Sequence, residues 1–390
     1  METRYQLIIL GNRSLYINQI LESLNFHLTE LGISTNNISI INKHNFSSEY
    51  TPNAPTFCIY FGNILINFND VYIIDILQSD AVFILPIVSN LSKFREYTPE
   101  NIHKINGFEL SAKSKVEPLI SIILEGLGLL RITRRLFISY KRAESSSVAL
   151  QLYEQLEKNG FDVFLDTHSI RPGDSFQDEL WHRLADTDIV LLLNTPGFLT
   201  SEWTKEELAK ANTMQIGILQ LIWPHHIMEA SSSLSIPFKL NPNNFVKNKF
   251  NNAKCYLNDN VINDIVKQTE FLRARSLAAR QDNLITEFMK AATKNGKNAI
   301  LQPQKFIIIT NEKGQEIIVI PTVGVPQAFA YNKSEDRINA LNLPCKAEIW
   351  LLFDHINIRD NWLKHLDWLD KHLPIKTLRI INAESWIQNI

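Results

Sequence analysis

Cysteine is scarce in this chain, and what there is sits badly for disulfide or metal chemistry. Cys58, Cys255 and Cys345 are odd in number, far apart and never in C-x-x-C spacing. That argues against a disulfide scaffold and a zinc site, and suits a reducing cytosol. An excess of one charge is also missing, since 39 Lys and Arg stand against 41 Asp and Glu. No global field draws the chain to nucleic acid or an acidic membrane, so neither is expected as a partner. Long apolar runs are absent too. The run opening at Tyr5 is too short for a signal peptide or a spanning helix, and the others are strand-sized or broken by charge, so a soluble cytoplasmic protein is expected. The phosphate-loop, nucleophile-elbow and H-E-x-x-H patterns do not occur, which removes the reactions they support. The pair His225-His226 has no third ligand in view, so no metal is expected.

What is present is ordinary globular material, 45% hydrophobic and 21% charged over 390 residues, enough for two or three domains. Apolar runs at Tyr5–Leu10, Ile38–Ile41, Phe57–Phe61 and Ala81–Val88 read as strands. Helix-spaced pieces lie between them at Leu15–Leu31 and Val71–Leu77, and Val116–Leu130 forms a closing helix. This alternation predicts a small α/β domain over residues 1–131 with a largely parallel sheet. Asp80-Ala-Val-Phe-Ile-Leu-Pro there loosely echoes Asp188-Ile-Val-Leu-Leu-Leu-Asn further on.

A second domain spans 132–236. Strands are predicted at Leu136–Tyr140, Asp162–Asp166, Ile189–Leu193 and Ile216–Trp223, with a helix over Ser146–Lys158 that Gly160 stops. Ligand sites of such doubly wound sheets lie outside the carboxyl ends of the strands, where Tyr140, Asp166 and Asn194 fall. Residues 237–300 read as an Asn-, Lys- and Pro-rich linker followed by one long helix, Val261–Thr293. Its Arg273, Arg275 and Arg280 either bind an anion or, the simpler reading, form a solvated face between domains. Residues 301–390 again alternate, beginning with a hairpin of Phe306–Thr310 and Glu316–Pro321 and carrying a Trp-rich helix from Asp360 to His372. The loop Pro321–Pro326 reads as a turn, with a ligand loop as the alternative.

The most informative stretch is S-E-W-T-K-E-E, Ser201 to Glu207. On a helix, Trp203 and Glu207 share one face a turn apart. An indole beside a carboxylate suits a flat cationic ligand, stacking on it while facing its positive charge. Each residue also has a plain structural alternative. Glu207 early in a helix is favourable to the helix dipole. Trp203 and Phe164 serve equally as core, Asp166 as a turn former, and Glu206 as the i,i+4 partner of Lys210.

Taken in order, F-I-S-Y-K-R ending at Arg142, V-F-L-D ending at Asp166, the R-P-G-D loop ending at Asp174 and S-x-W-x-x-x-E ending at Glu207 resemble a Toll/interleukin-1 receptor (TIR) domain of the NAD-cleaving branch. The overall expectation is an α/β chain with a central flavodoxin-like TIR domain flanked by two smaller α/β domains. By this resemblance NAD+ is the substrate, with no bound cofactor, and Glu207 is the catalytic carboxylate. Trp203 walls the pocket, Phe164 packs on the nicotinamide side, and Tyr140 and Arg142 lie at the first strand tip. Asp166, Pro172, Gly173 and Asp174 belong to a loop that gates the site and joins subunits, which implies a homo-oligomer. The multidomain build resembles antiviral effectors whose flanking domains sense a trigger. Two alternatives accompany it, a synthase of a cyclic ADP-ribose signal and a non-catalytic scaffold that binds other TIR domains.

Overall fold

The computed structural model describes residues 5–12, 15–31, 33–52, 54–63, 68, 70–80, 82–127, 129–131, 133–165, 183–198, 216–227, 235–302, 305–340, 347–354 and 358–390. They divide into two compact units, Met1–Ile132 with Ile338–Asn342, and Thr133–Arg337 with Leu343–Ile390. Among the described residues no helix is long and apolar enough to cross a membrane.

The first unit is a parallel five-stranded sheet, β1 Tyr5–Gly11, β2 Ile38–Ile41, β3 Thr56–Phe61, β4 Phe83–Val88 and β5 Phe108–Glu109, in the order β2-β1-β3-β4-β5. That is the flavodoxin-like order, in which the chain winds outward from β1 in both directions. Helices α1 Ile17–Glu30, α2 Val71–Ser79 and α3 Val116–Gly126 cover it. Strand runs such as Thr56–Phe61 are apolar on both faces because both faces are buried, with Cys58 and Ile59 fully buried.

The second unit holds two sheets. The first consists of β6 Arg135–Ser139, β7 Asp162–Leu165, β8 Ile189–Asn194, β9 Gly217–Ile222 and β10 Ile236–Lys239. All pairs are parallel and the order is β10-β9-β8-β6-β7, the same winding as in the first unit. One face packs on α4, Arg142–Lys158, through Val148, Leu152 and Leu156. Gly160 ends that helix with φ of +82°, in the left-handed region that glycine enters without a Cβ penalty. The other face buries Phe137, Phe164, Val190, Leu192 and Ile218.

Two expectations are corrected here. The stretch after residue 236 is not merely a linker. Ile236–Lys239 is the edge strand β10, and Phe245, Cys255 and Leu257 beyond it are buried in the core of the same sheet. The arginine-bearing helix is likewise not a solvated face. It is α5, Asp259–Lys294, 36 residues and about 54 Å long at 1.5 Å per residue. Its first half packs Val261, Ile262, Ile265 and Val266 into the core of the β6–β10 sheet, and its second half packs Leu284, Ile285 and Phe288 against the last sheet. Between these apolar stretches lies a buried polar segment. Arg273 is fully buried and its Nε is 2.8 Å from Asp188 Oδ2. Arg280 donates to the carbonyls of Thr187 (2.8 Å) and Ala185 (3.2 Å). Glu270 pairs with Arg134, and the Gly217 amide donates to Ser276 Oγ at 2.8 Å. Only Arg275 of the three arginines is exposed.

The last sheet comprises β11 Ala299–Leu301, β12 Ile307–Thr310, β13 Glu316–Thr322, β14 Glu348–Phe353 and β15 Lys376–Arg379 in sequential order. The hairpin β12–β13 is antiparallel, while β14 and β15 join in parallel. Helices α6 Ala328–Ala340, α7 Asp360–His372 and α8 Ala383–Gln388 accompany it. The turn after β13 reaches the neighbouring sheet, since the buried Val325 amide donates to Asp186 Oδ1 at 3.1 Å.

Candidate active site

In the β6–β10 sheet the winding reverses between β6 and β8, and the crevice beyond their carboxyl ends is where such sheets hold ligands. Two short loops line it, Tyr140-Lys141 after β6 and Thr195-Pro-Gly-Phe198 after β8. They are tied by a three-point clamp. Lys141 Nζ lies 2.9 Å from Glu144 Oε1 and donates to the Gly197 carbonyl at 3.0 Å, while the Gly197 amide donates to Glu144 Oε2 at 2.9 Å. A Cβ on residue 197 would meet the ends of both side chains, so a larger residue there would push Lys141 and Glu144 out of the clamp. Helix α4 begins irregularly, with Ser145 at φ −142° inside its first turn.

Burial alone would raise the Glu144 carboxyl, but Lys141, Thr195 and the Gly197 amide outweigh it and hold the group below the usual glutamate range. Glu144 is therefore an anion across the neutral range, and both of its oxygens are committed to the clamp. Beside it, Asn194 ends β8 fully buried. Its Nδ2 donates to the Ile227 carbonyl at 3.4 Å, whereas Oδ1 has no hydrogen-bond partner among the described residues. A buried acceptor left bare is costly, which makes Asn194 a candidate to receive a substrate hydroxyl.

Of the site residues that the TIR resemblance implies, three are described. Tyr140 is buried at the β6 tip, with its ring in the core under α4. Arg142 opens α4 and is exposed at the rim. Phe164 lies on the opposite face of the sheet from Tyr140, so the structure does not bring the two together. It stacks on Phe137 at 5.4 Å with the Arg183 guanidinium 4.5 Å over its ring. Asp166, Pro172, Gly173, Asp174, Trp203 and Glu207 lie outside the described residues. Sequence reasoning missed Lys141, Glu144 and Gly197. The i,i+3 pair K-x-x-E after a strand tip and the Pro-Gly after β8 were the available signals. Among the described residues no group of three His, Cys, Asp or Glu could hold a metal.

Comparison with known proteins identifies the region. The sequence profile of the TIR domain matches residues 136–239. The chain is similar to the 2' cyclic ADP-D-ribose synthase BtTIR of Bacteroides thetaiotaomicron, 29% identical over 72 residues, covering 18% of this chain and 25% of that protein. It is also similar to the probable 2' cyclic ADP-D-ribose synthase BdTIR of Brachypodium distachyon, 30% identical over 74 residues, covering 19% and 33%. The chain thus spans a quarter to a third of the length of the curated relatives it matches. Among solved structures, proximal thread matrix protein 1 from the mussel byssus aligns over 69% of this chain and 96% of its own, at 10% identity and a TM-score of 0.23. A likeness that slight carries no argument.

Proposed function

Residues 136–239 are a TIR domain, and from that premise we propose that this chain cleaves the N-glycosidic bond of NAD+, with Glu207 as the catalytic carboxylate. The observation that supports this most directly is that both named relatives are, by name, synthases of a 2' cyclic ADP-D-ribose, a product whose ADP-ribose NAD+ can supply.

The chemistry needs little machinery. Nicotinamide in NAD+ is already cationic, so it leaves without a proton, taking the electron pair of the ribose–nitrogen bond and becoming neutral. The ribose left behind is an oxocarbenium-like cation. A carboxylate in a poorly hydrated crevice stabilises that charge as it develops. In this reading Glu207 faces the ribose and Trp203 walls the nicotinamide. Arg142 at the rim meets the pyrophosphate, and Tyr140 and Asn194 shape the floor between them. Asp166, Gly173 and Asp174 belong to the gating loop and complete the pocket through contact with a second copy of the chain. The Lys141–Glu144–Gly197 clamp fixes the loop that leads from β8 toward Trp203 and Glu207.

What captures the cation decides the product. Water gives ADP-ribose and releases a proton, whereas a hydroxyl of the same ADP-ribose gives a cyclic isomer. The names of the two relatives favour the cyclic product as the second reading. The biological setting we propose is antiviral defence, with the flanking domains responding to a trigger.

The test is chromatographic. Purified full-length protein is incubated with NAD+, with and without a crowding agent to favour assembly, beside Glu207→Ala. Nicotinamide release that disappears in the variant, at an unchanged melting temperature, is expected, and the second product identifies hydrolysis or cyclisation. Release that persists in Glu207→Ala would overturn the assignment. A wild type silent in every condition, with TIR partner binding intact in the variant, would favour the scaffold.

A further inference from the structure

A cavity of about 270 Å³ opens at the amino end of the β6–β10 sheet, where it meets the C-terminal sheet and its helices. Arg135, the first residue of β6, and Asp162, the first of β7, line it together with Phe164 and Arg183. From the other side come Gln327, just before α6, and Trp362 in the first turn of α7. Tyr140 follows five residues after Arg135 on the same strand, roughly 16 Å away at the strand rise. This cavity is therefore separate from the crevice that holds Arg142 and Asn194.

Its chemistry is specific in three respects. Trp362 offers an aromatic wall, and the Arg183 guanidinium already lies over the Phe164 ring, 4.5 Å from its centroid, so the lining favours a planar π-system. Formal charge cancels, because Arg135 and Arg183 are matched by Asp162 and Asp186, and Arg135 is paired with both carboxylates. A balanced site exerts no net pull on a phosphate. Finally, guanidinium, carboxylate and carboxamide groups supply donors and acceptors side by side, the mosaic that a base edge presents in return. The volume lies just under the range of roughly 300–1,000 Å³ that suits drug-sized ligands, so a nucleoside fills it better than a dinucleotide does.

We propose that this seam cavity binds a neutral nucleoside or free nucleobase, its ring held between Trp362 and Arg183 and its edge read by Gln327 and Asp162. A ligand there touches both the TIR sheet and the C-terminal helices, so it joins the catalytic domain to its neighbour at the end opposite the chemistry. The proposal does not depend on NAD+ cleavage.

The experiment is calorimetric titration of the full chain with adenosine, guanosine, cytidine and uridine in turn, then with the monophosphate of whichever binds. One-site binding is expected. Trp362→Ala should weaken it about tenfold or more, the usual loss for one base–aromatic stack. Gln327→Ala should weaken it and Trp362→Phe should largely preserve it, which keeps the test intact if the alanine variant misfolds. The monophosphate should bind no tighter than the nucleoside, and excess NAD+ should not displace it. Four outcomes would each overturn the proposal: no binding of any nucleoside in the millimolar range, affinity indifferent to both Trp362→Ala and Gln327→Ala, a strong preference for the phosphorylated form, or displacement by NAD+.

Discussion

The Arg273–Asp188 pair gives the sharpest test of how the second unit is built. Both side chains are fully buried and 2.8 Å apart, one on α5 and the other at the entry to the central strand β8. Asp188 Oδ2 also accepts the Arg135 amide at 3.3 Å, and Arg273 Nη2 donates to the Thr133 carbonyl at 3.3 Å. Removing either partner leaves an uncompensated charge where water cannot reach, which costs about 3–5 kcal/mol. Replacing both by apolar groups removes the desolvation penalty along with the attraction, and costs about 1 kcal/mol or less. Asp188→Leu and Arg273→Met should therefore each be severely destabilising, and the double variant should recover most of the loss. Tryptophan fluorescence in urea reads the right transition, because all seven tryptophans of the chain lie within Thr133–Arg337 and Leu343–Ile390. The coupling comes from the four-corner cycle, provided the slope against urea stays constant. Single variants costing less than about 1 kcal/mol, or a double variant costing the sum of the two, would refute the reasoning.

Two other predictions concern the same unit. Glu144→Gln should lower the rate of nicotinamide release with little change in KM, because Glu144 positions a loop rather than touching NAD+. Its carboxyl is depressed in the fold, so its stabilisation is complete above the unfolded glutamate value of roughly 4.3 and fades as pH falls through the lower folded value. The melting-temperature gap between wild type and Glu144→Gln should therefore hold at neutral pH and close in strong acid. A gap that closes on raising the pH instead would contradict the clamp. The fragment 132–236 should show no cooperative melting, since it lacks nearly all of β10 and the α5 residues that cover the core; a sharp two-state transition would count against this account.

The elements were largely legible because their signals are local. Period-2 and period-3.6 patterns marked most strands and helices of the three sheets, though not the short strands β5 and β11 or helices α6 and α8, and the ordered motifs from Phe137 to Glu207 marked the TIR domain. Strand β10 was missed because Pro237 and the Asn- and Lys-rich surroundings read as loop, yet an edge strand tolerates proline where no ladder bond is required. The arginines of α5 were misjudged for another reason. Charge on a long helix is ordinarily solvated, and only the fold shows that Asp188 and three backbone carbonyls wait opposite Arg273 and Arg280. The clamp was equally invisible, because Lys141 and Glu144 are separated from Gly197 by more than fifty residues. Asn194 was placed at a strand end by topology alone, while its bare Oδ1 became apparent only from packing.

The helix that finishes the core of the TIR sheet begins at Asp259, twenty residues past the end of the stretch that carries the family's signature. The unit of inheritance and the unit of folding are thus different lengths of chain. A recombination that moved residues 136–239 into another gene would carry Asp188 away from its arginine and strip an apolar sheet of its cover. In this chain a change at residues 185–188 is tolerated only where the distant helix accepts it or changes with it, since Arg273 and Arg280 contact that segment directly. Ancestry in this protein is written in one segment and enforced from another.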